Sequence, residues 1–230
     1  GCANAVLVVA GDITPQVARQ KVETFFGDIP SGPPVIKHAE WVAKRTGTHR
    51  MTMQDRVPQA RVIKVWNVPA LGAEDYPALE LVSDLLSGGK NSRLFRRLVY
   101  TDKSATSVVG YYDVREIAGQ IVVWADVQPG GDPAAIERAM DEEIAALLRD
   151  GPSAAELSRV QTERRANYIR QIERIGGFGG KSDVLAQGAV YLGDPDGIPK
   201  QIDRMLALKP AAVRATASRW LADGQFVLTV

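Results

Sequence analysis

Leu85-Leu86-Ser87-Gly88-Gly89-Lys90-Asn91-Ser92-Arg93-Leu94-Phe95-Arg96-Arg97-Leu98 joins an apolar helix end to a short basic amphipathic restart through a Gly-Gly break. Upstream, Leu79, Val82 and Leu86 recur at helical spacing from about Tyr76, and Leu81 and Leu85 widen that face beyond a stripe. A helix apolar on more than one side belongs inside a core, so 76–86 is predicted to be a buried helix. After the break, Lys90, Asn91, Ser92 and Arg93 form a polar set at a helix start, where backbone amides can donate to a carboxylate or a peptide carbonyl. These four are the candidate ligand contacts of the chain. Ordinary helix capping, with Ser92 as the cap, is the other reading of the same residues.

Strand patterns flank this helix. Residues from about Arg50 to Gln54 and from Ala60 to Val68 read as strands, the second with Val62, Trp66 and Val68 on one face and Ile63 and Val65 on the other, which predicts burial on both sides. Two further strands, Ala105 to Tyr112 and Gln120 to Val127, follow the basic restart, with a turn near Arg115 to Gly119. The period then changes: Ile136, Met140, Ile144, Leu147 and Leu148 mark one face of a helix from Asp132 to about Arg149, with Glu137, Asp141 and Glu142 outside it. Gly151-Pro152-Ser153 interrupts, and Ser153 to Glu156 has the capping-box spacing that opens another helix, running to about Ile175. Helices at 182–191, 199–206 and 211–221 and a last strand from Phe226 complete an α+β pattern: a mostly antiparallel sheet with helices packed on one face.

The beginning reads separately. Asn4 to Ala10 is a β-branched run closed by Gly11-Asp12, and Thr14-Pro15 supplies an N-cap and a first-turn proline for a helix ending near Phe26-Gly27. Gly27 to Pro34 carries three prolines with Ser31 and Gly32 and is predicted to be a linker. The expected organisation is therefore an opening strand-helix and linker at 1–34, then a main module at 35–230. The absence of an initiator Met and the immediate strand suggest a piece of a longer polypeptide.

Composition limits the function classes. With 230 residues, 45% of them hydrophobic, the chain can bury one substantial core or two small ones. A net charge of +1 from interspersed residues gives no electrostatic case for nucleic acid or an anionic membrane surface. No run approaches the roughly 18 apolar residues of a membrane span. The single cysteine, Cys2, cannot form an internal disulfide and reads as part of a frayed end, so cysteine usage leaves the compartment open.

Catalytic motifs are thin. Gly176-Gly177-Phe178-Gly179-Gly180-Lys181-Ser182 invites a phosphate-loop reading, but the position that must be glycine is Ile175 and a helix precedes it where a strand is required. A flexible helix-to-helix connection accounts for it better. Only His38 and His49 exist, both near the linker, without the four-residue spacing that grips zinc on a helix. No Gly-x-Ser-x-Gly elbow occurs. Asp141, Glu142 and Glu143 are adjacent and splay around their helix, so they read as a solvated face.

Residues spread over nearly the whole chain carry a family resemblance. Asn4 to Asp12 with Phe25-Phe26-Gly27-Asp28-Ile29-Pro30, Ser87-Gly88-Gly89 with Ser92-Arg93-Leu94-Phe95, Gly151-Pro152-Ser153 with Glu156-Leu157, and Phe178 to Asp183 with Leu192-Gly193-Asp194-Pro195 occur in this order. Together they resemble the second, non-catalytic module of pitrilysin/insulinase-type zinc peptidases, the group that includes mitochondrial processing peptidase. The resemblance implies paired α+β modules in two halves of a clamshell, with a peptide held between them as an added strand. It also implies a zinc held by His-x-x-Glu-His and a distal Glu on the first module of one half, a motif absent here. No cofactor is then expected in this chain, and zinc is expected in the neighbouring module.

One departure bears on placement. Where the family's module opposite the zinc has Arg and, seven residues later, Tyr to hold substrate, this chain has Val99 and Thr106; Val has no donor and Thr is too short to replace a phenol. Tyr111 and Tyr112 read as strand residues. The resemblance therefore implies a module that follows the zinc-bearing one in the same half, supports it and lines the peptide chamber. The alternative is an inactive partner subunit or interaction module of the same family. Its implied partners are the zinc-bearing module, the opposing half and a peptide, with no nucleic acid and no membrane span, and its implied compartment is the bacterial periplasm.

Overall fold

The computed structural model describes residues 2–230. Two compact units partition them: one comprises the residues up to Ala39 with Glu163–Asp203, the other Glu40–Thr162 with Arg204–Val230.

The larger unit is built on a five-stranded sheet in the order β1 (His49–Thr52), β5 (Phe226–Thr229), β2 (Arg61–Val68), β4 (Gly119–Val127), β3 (Ala105–Val114). β1 and β5 run parallel and all other neighbours are antiparallel. Register places Val62, Lys64, Trp66 and Val68 opposite Ala125, Val123, Ile121 and Gly119 on one face. On β2 this face is fully buried, while Arg61, Ile63, Val65 and Asn67 on the other are only half-buried. The expectation of burial on both sides of β2 is thus corrected: helices cover one face and leave the other open. Lys64 is the price of reading apolar residues alone, since strict alternation puts it on the covered face.

α2 (Tyr76–Ser87), α4 (Pro133–Asp150) and α8 (Pro210–Leu221) belong to the same core. Leu79, Leu81, Val82, Leu85 and Leu86 of α2 are at most 1% exposed, and each such side chain contributes roughly 1.5–3 kcal/mol over exposure. That explains the wide apolar face of this helix. Ile136, Met140, Ile144 and Leu147 of α4 are buried with them, whereas Leu148 packs at the margin. α5 (Ala154–Glu173) opens on the anticipated capping box: Ser153 N donates to Glu156 Oε2 (2.8 Å) and Glu156 N donates to Ser153 Oγ (3.2 Å).

In the smaller unit, α1 (Pro15–Phe26) starts as expected, with Thr14 Oγ1 accepting from Val17 N at 3.3 Å, but none of its residues is buried. α6 (Lys181–Leu192) closes on Gly193 in the left-handed conformation, and α7 (Gly197–Ala207) follows, passing from the smaller unit into the larger. The anticipated strand over Asn4 to Ala10 does not form: Cys2–Asn4 is a short 3-10 turn and residues 5–10 are irregular, with Val6, Leu7 and Val9 about half exposed. β-branched composition favours a pleated, half-buried surface, but a strand needs a hydrogen-bonded neighbour, and no described strand pairs with this run.

Candidate functional site

The Gly-Gly break turns the chain from α2 into α3 (Arg93–Phe95) and a π-helical turn, Arg96–Thr101. Gly88 N donates to Asp84 O (2.8 Å), closing α2, and Gly89 has a φ of +79°, a left-handed conformation that glycine adopts without strain. Ser92 is fully buried, and its hydroxyl donates back to Gly89 O (2.7 Å) instead of accepting from an amide of the next helix. Its backbone is extended as a cap's should be, but its side chain stabilises the turn.

Arg93 is committed to an ion pair. Its Nε and Nη2 donate to the two carboxylate oxygens of Glu156 (2.8 and 3.0 Å), and Nη2 also reaches Gly151 O (2.9 Å). Burial alone would raise the Glu156 carboxyl, but hydrogen bonds from Arg93 and Ser153 outweigh it and hold that group at about 2. The resemblance-bearing Ser-Arg-Leu-Phe and Gly-Pro-Ser segments are thus two sides of one contact. Lys90 and Asn91 are exposed beside it, and the Asn91 carbonyl accepts from Arg159 (3.4 Å).

Asn91, Arg93 and Glu156 border a surface cleft of about 730 Å³ that Arg96, Arg97 and Glu143 also line. Arg97 donates to Asp102 (2.6 Å) and Glu142 (3.0 Å) and lies 3.8 Å from Glu143. Asp141 meanwhile accepts from Lys64 (2.6 Å). The three consecutive carboxylates are therefore not merely a solvated face: each has a cation partner. Glu156, held well below its ordinary value by Arg93 and Ser153, stays ionised near neutral pH and is not a proton-transfer group there. The cleft can position a polar chain or an anion.

Val99 is half-buried against the core, and Thr106, at an irregular step in the β3–β4 register, donates its hydroxyl proton to Gln59 Oε1 (2.8 Å). Tyr111 and Tyr112 are strand residues as anticipated, Tyr111 on the open sheet face and Tyr112 buried, with its hydroxyl donating to Pro69 O. The Gly176 to Lys181 segment connects α5 to α6, pinned by Gly179 N donating to Asp183 (2.8 Å), with Phe178 wholly exposed. His38 and His49 are both exposed, and His49 Nε2 lies 3.2 Å from Thr46 O. Among the described residues, no group of three or more His, Cys, Asp or Glu is placed to hold a metal, so a zinc ion finds no donor set that fits it.

These features define a sheet-and-helix module whose surface cleft is lined by ion-paired positioning groups. The chain belongs to the peptidase M16 inactive-domain family, whose model matches residues 3–164. It is 26% identical over 234 residues to the zinc protease PqqE of Helicobacter pylori, a match that covers 96% of this chain and 50% of that protein. A crystal structure of a protease from Helicobacter pylori superposes with a TM-score of 0.81 at 20% identity, over 96% of this chain and 53% of that one. The periplasmic protease PqqL of Escherichia coli gives a TM-score of 0.73 at 14% identity, over 96% of this chain and 24% of that one. The chain thus spans half or less of the length of the curated relatives it matches. No described helix is long and apolar enough to cross a membrane.

Proposed function

We propose that this chain is the non-catalytic module of a zinc-dependent peptidase, and that it supports a zinc-bearing module and lines the chamber in which a peptide is held. The match of residues 3–164 to the inactive-domain family carries this reading. The zinc belongs to the neighbouring module, and the peptide is enclosed between this half and an opposing one. Val99 and Thr106, neither of which offers an arginine's or a tyrosine's donor, favour a place behind the zinc-bearing module of the same half over one in an inactive partner subunit.

Contact with the peptide falls to the turn at Lys90, Asn91, Ser92 and Arg93. Lys90 and Asn91 offer their side chains outward, while Ser92 and Arg93 hold the turn in shape through Gly89 and Glu156. The compartment is the periplasm, by likeness to PqqL, which is described as periplasmic. The test is metal analysis after dialysis together with peptide digestion, on the chain alone and on the full polypeptide that carries it. The chain alone binds no stoichiometric zinc and cleaves nothing, while the full polypeptide does both. Tight zinc with chelator-sensitive cleavage by this chain alone overturns the reading. In the full enzyme, Lys90→Ala with Asn91→Ala raises KM and leaves kcat unchanged; an unchanged KM removes the turn from the chamber.

A further inference from the structure

The open sheet face carries a second feature that the peptidase reading does not use. Residues 41–45 cross the end of this face as a strap, fixed at both ends. Trp41 N donates to Ile117 O (3.2 Å), and the Asn67 side-chain amide donates to Ala43 O (2.8 Å). At the far end the Lys44 ammonium lies 5.2 Å from the centre of the Trp220 ring, and the Arg45 guanidinium 5.8 Å from that of Phe226. Gly224 has a φ of +74°, and a Cβ there would stand 2.4 Å from Arg45 O, so the strap can lie this close only over glycine.

Two adjoining cavities, of about 220 and about 580 Å³, share Arg45, Asn67 and Gln120 as lining. Gln120 donates one amide hydrogen to Asn67 Oδ1 (3.0 Å), which orients both amides side by side across β2 and β4. Each retains one amide hydrogen for a ligand carbonyl. Trp41, 71% exposed, and Ile117 give the wall an apolar side. Charge decides the ligand. Arg115 is neutralised by Asp113 at 2.8 Å, whereas Arg45 has no carboxylate within ion-pair distance among the described residues. An arginine set over the Phe226 ring and left without an ion-pair partner in a groove presents a fork suited to a carboxylate.

We propose that this groove binds a carboxylate-bearing peptide segment. Arg45 takes the carboxylate, Asn67 and Gln120 donate to the adjacent peptide carbonyl, and an apolar side chain rests against Trp41 and Ile117. The carboxylate comes from a chain terminus or from an acidic side chain. Binding is read without turnover, so the proposal stands or falls independently of the chamber reading.

The test uses the full polypeptide and three fluorescently labelled, otherwise uncharged heptapeptides in anisotropy titrations. One ends in leucine with a free carboxylate, one is its C-terminal amide, and one is the amide with a single internal aspartate. At least one carboxylate probe binds tenfold or more tighter than the plain amide, and the arm that does so identifies the source. Arg45→Gln removes the difference, Arg45→Lys keeps part of it, and Arg50→Gln, whose guanidinium sits on Glu137, leaves it intact. Trp41→Ala weakens all three probes alike. Equal binding of the three probes, an undiminished preference in Arg45→Gln, or no binding of either carboxylate probe at millimolar concentration overturns the proposal.

Discussion

The Lys64 ammonium, with no exposed surface, lies 2.6 Å from Asp141 Oδ1, tying the covered face of β2 to α4. Gln225 Oε1 accepts a second bond at 3.3 Å. Breaking a buried pair costs more than replacing it, because the surviving charge is left without its counterion. Asp141 is 42% exposed, so water relieves some of that cost. Asp141→Asn is expected to lower stability by about 1–3 kcal/mol, and Lys64→Met by less, in urea unfolding at neutral pH. In the double variant Lys64→Met with Asp141→Asn, the loss should fall below that of Asp141→Asn alone; a simple sum of the two losses would mean the groups do not interact.

Asp75, beside the start of α2, gathers three donors from α8. Thr216 Oγ1 donates at 3.2 Å, Arg219 Nη1 at 2.8 Å to each oxygen, and Trp220 Nε1 at 2.7 Å. Its side chain is 14% exposed, so losing the carboxylate strands partly buried donors. Asp75→Ala should cost about 2–3 kcal/mol and Asp75→Asn somewhat less, since one acceptor oxygen survives. Thermal unfolding checks the order; equal losses would show that charge, not hydrogen bonding, holds α8 here.

The core elements were legible because their signal is periodic. The leucines of α2, the stripe of α4 and the Ser153–Glu156 capping box each decide a local structure with no help from distant residues. What was illegible depends on register. Alternation along β2 does place Lys64 between Val62 and Trp66 on the covered face, but its counterion lies 77 residues away. Asp75 finds its donors more than 140 residues downstream, and the strap at Arg45 is set by Asn67 and Gly224. The run at Val6 to Val9 fails for the opposite reason: its composition is that of a strand, but composition does not supply a partner. Of the candidate site, the sequence located the turn at Lys90 to Arg93, but not that Arg93 is already engaged.

Close approach makes a sharper test at Gly110. A Cβ there would lie 2.2 Å from Ser87 Oγ and 2.9 Å from Val122 O, so β3 and α2 meet where only glycine fits. Gly110→Ala should cost about 1–3 kcal/mol, the usual range for overpacking. Ser87→Gly in the same chain removes the Oγ clash but not that with the Val122 carbonyl, so it should restore part of the loss. Full additivity of the two substitutions in chemical unfolding would argue that the contact is not made.

Arg93 and Glu156 predict an acid dependence whose sign is fixed. The Glu156 carboxyl sits at about 2 in the folded chain against an ordinary value of 4.5. A group depressed by folding stabilises the fold fully above its unfolded value, and that contribution drains as pH falls through the folded one. The window therefore runs from about pH 4.5 down to about pH 2. Because the Glu156 side chain is 31% exposed, solvent screening reduces the full shift to an expected contribution of about 1–2 kcal/mol. Unfolding free energy of the native chain should decline across this window by that much more than in Glu156→Gln, which cannot ionise. Arg93→Lys should also flatten the profile, because a single ammonium cannot reproduce the two-oxygen grip and the bond to Gly151 O together. Parallel profiles for all three proteins would mean that the pair contributes nothing that folding senses.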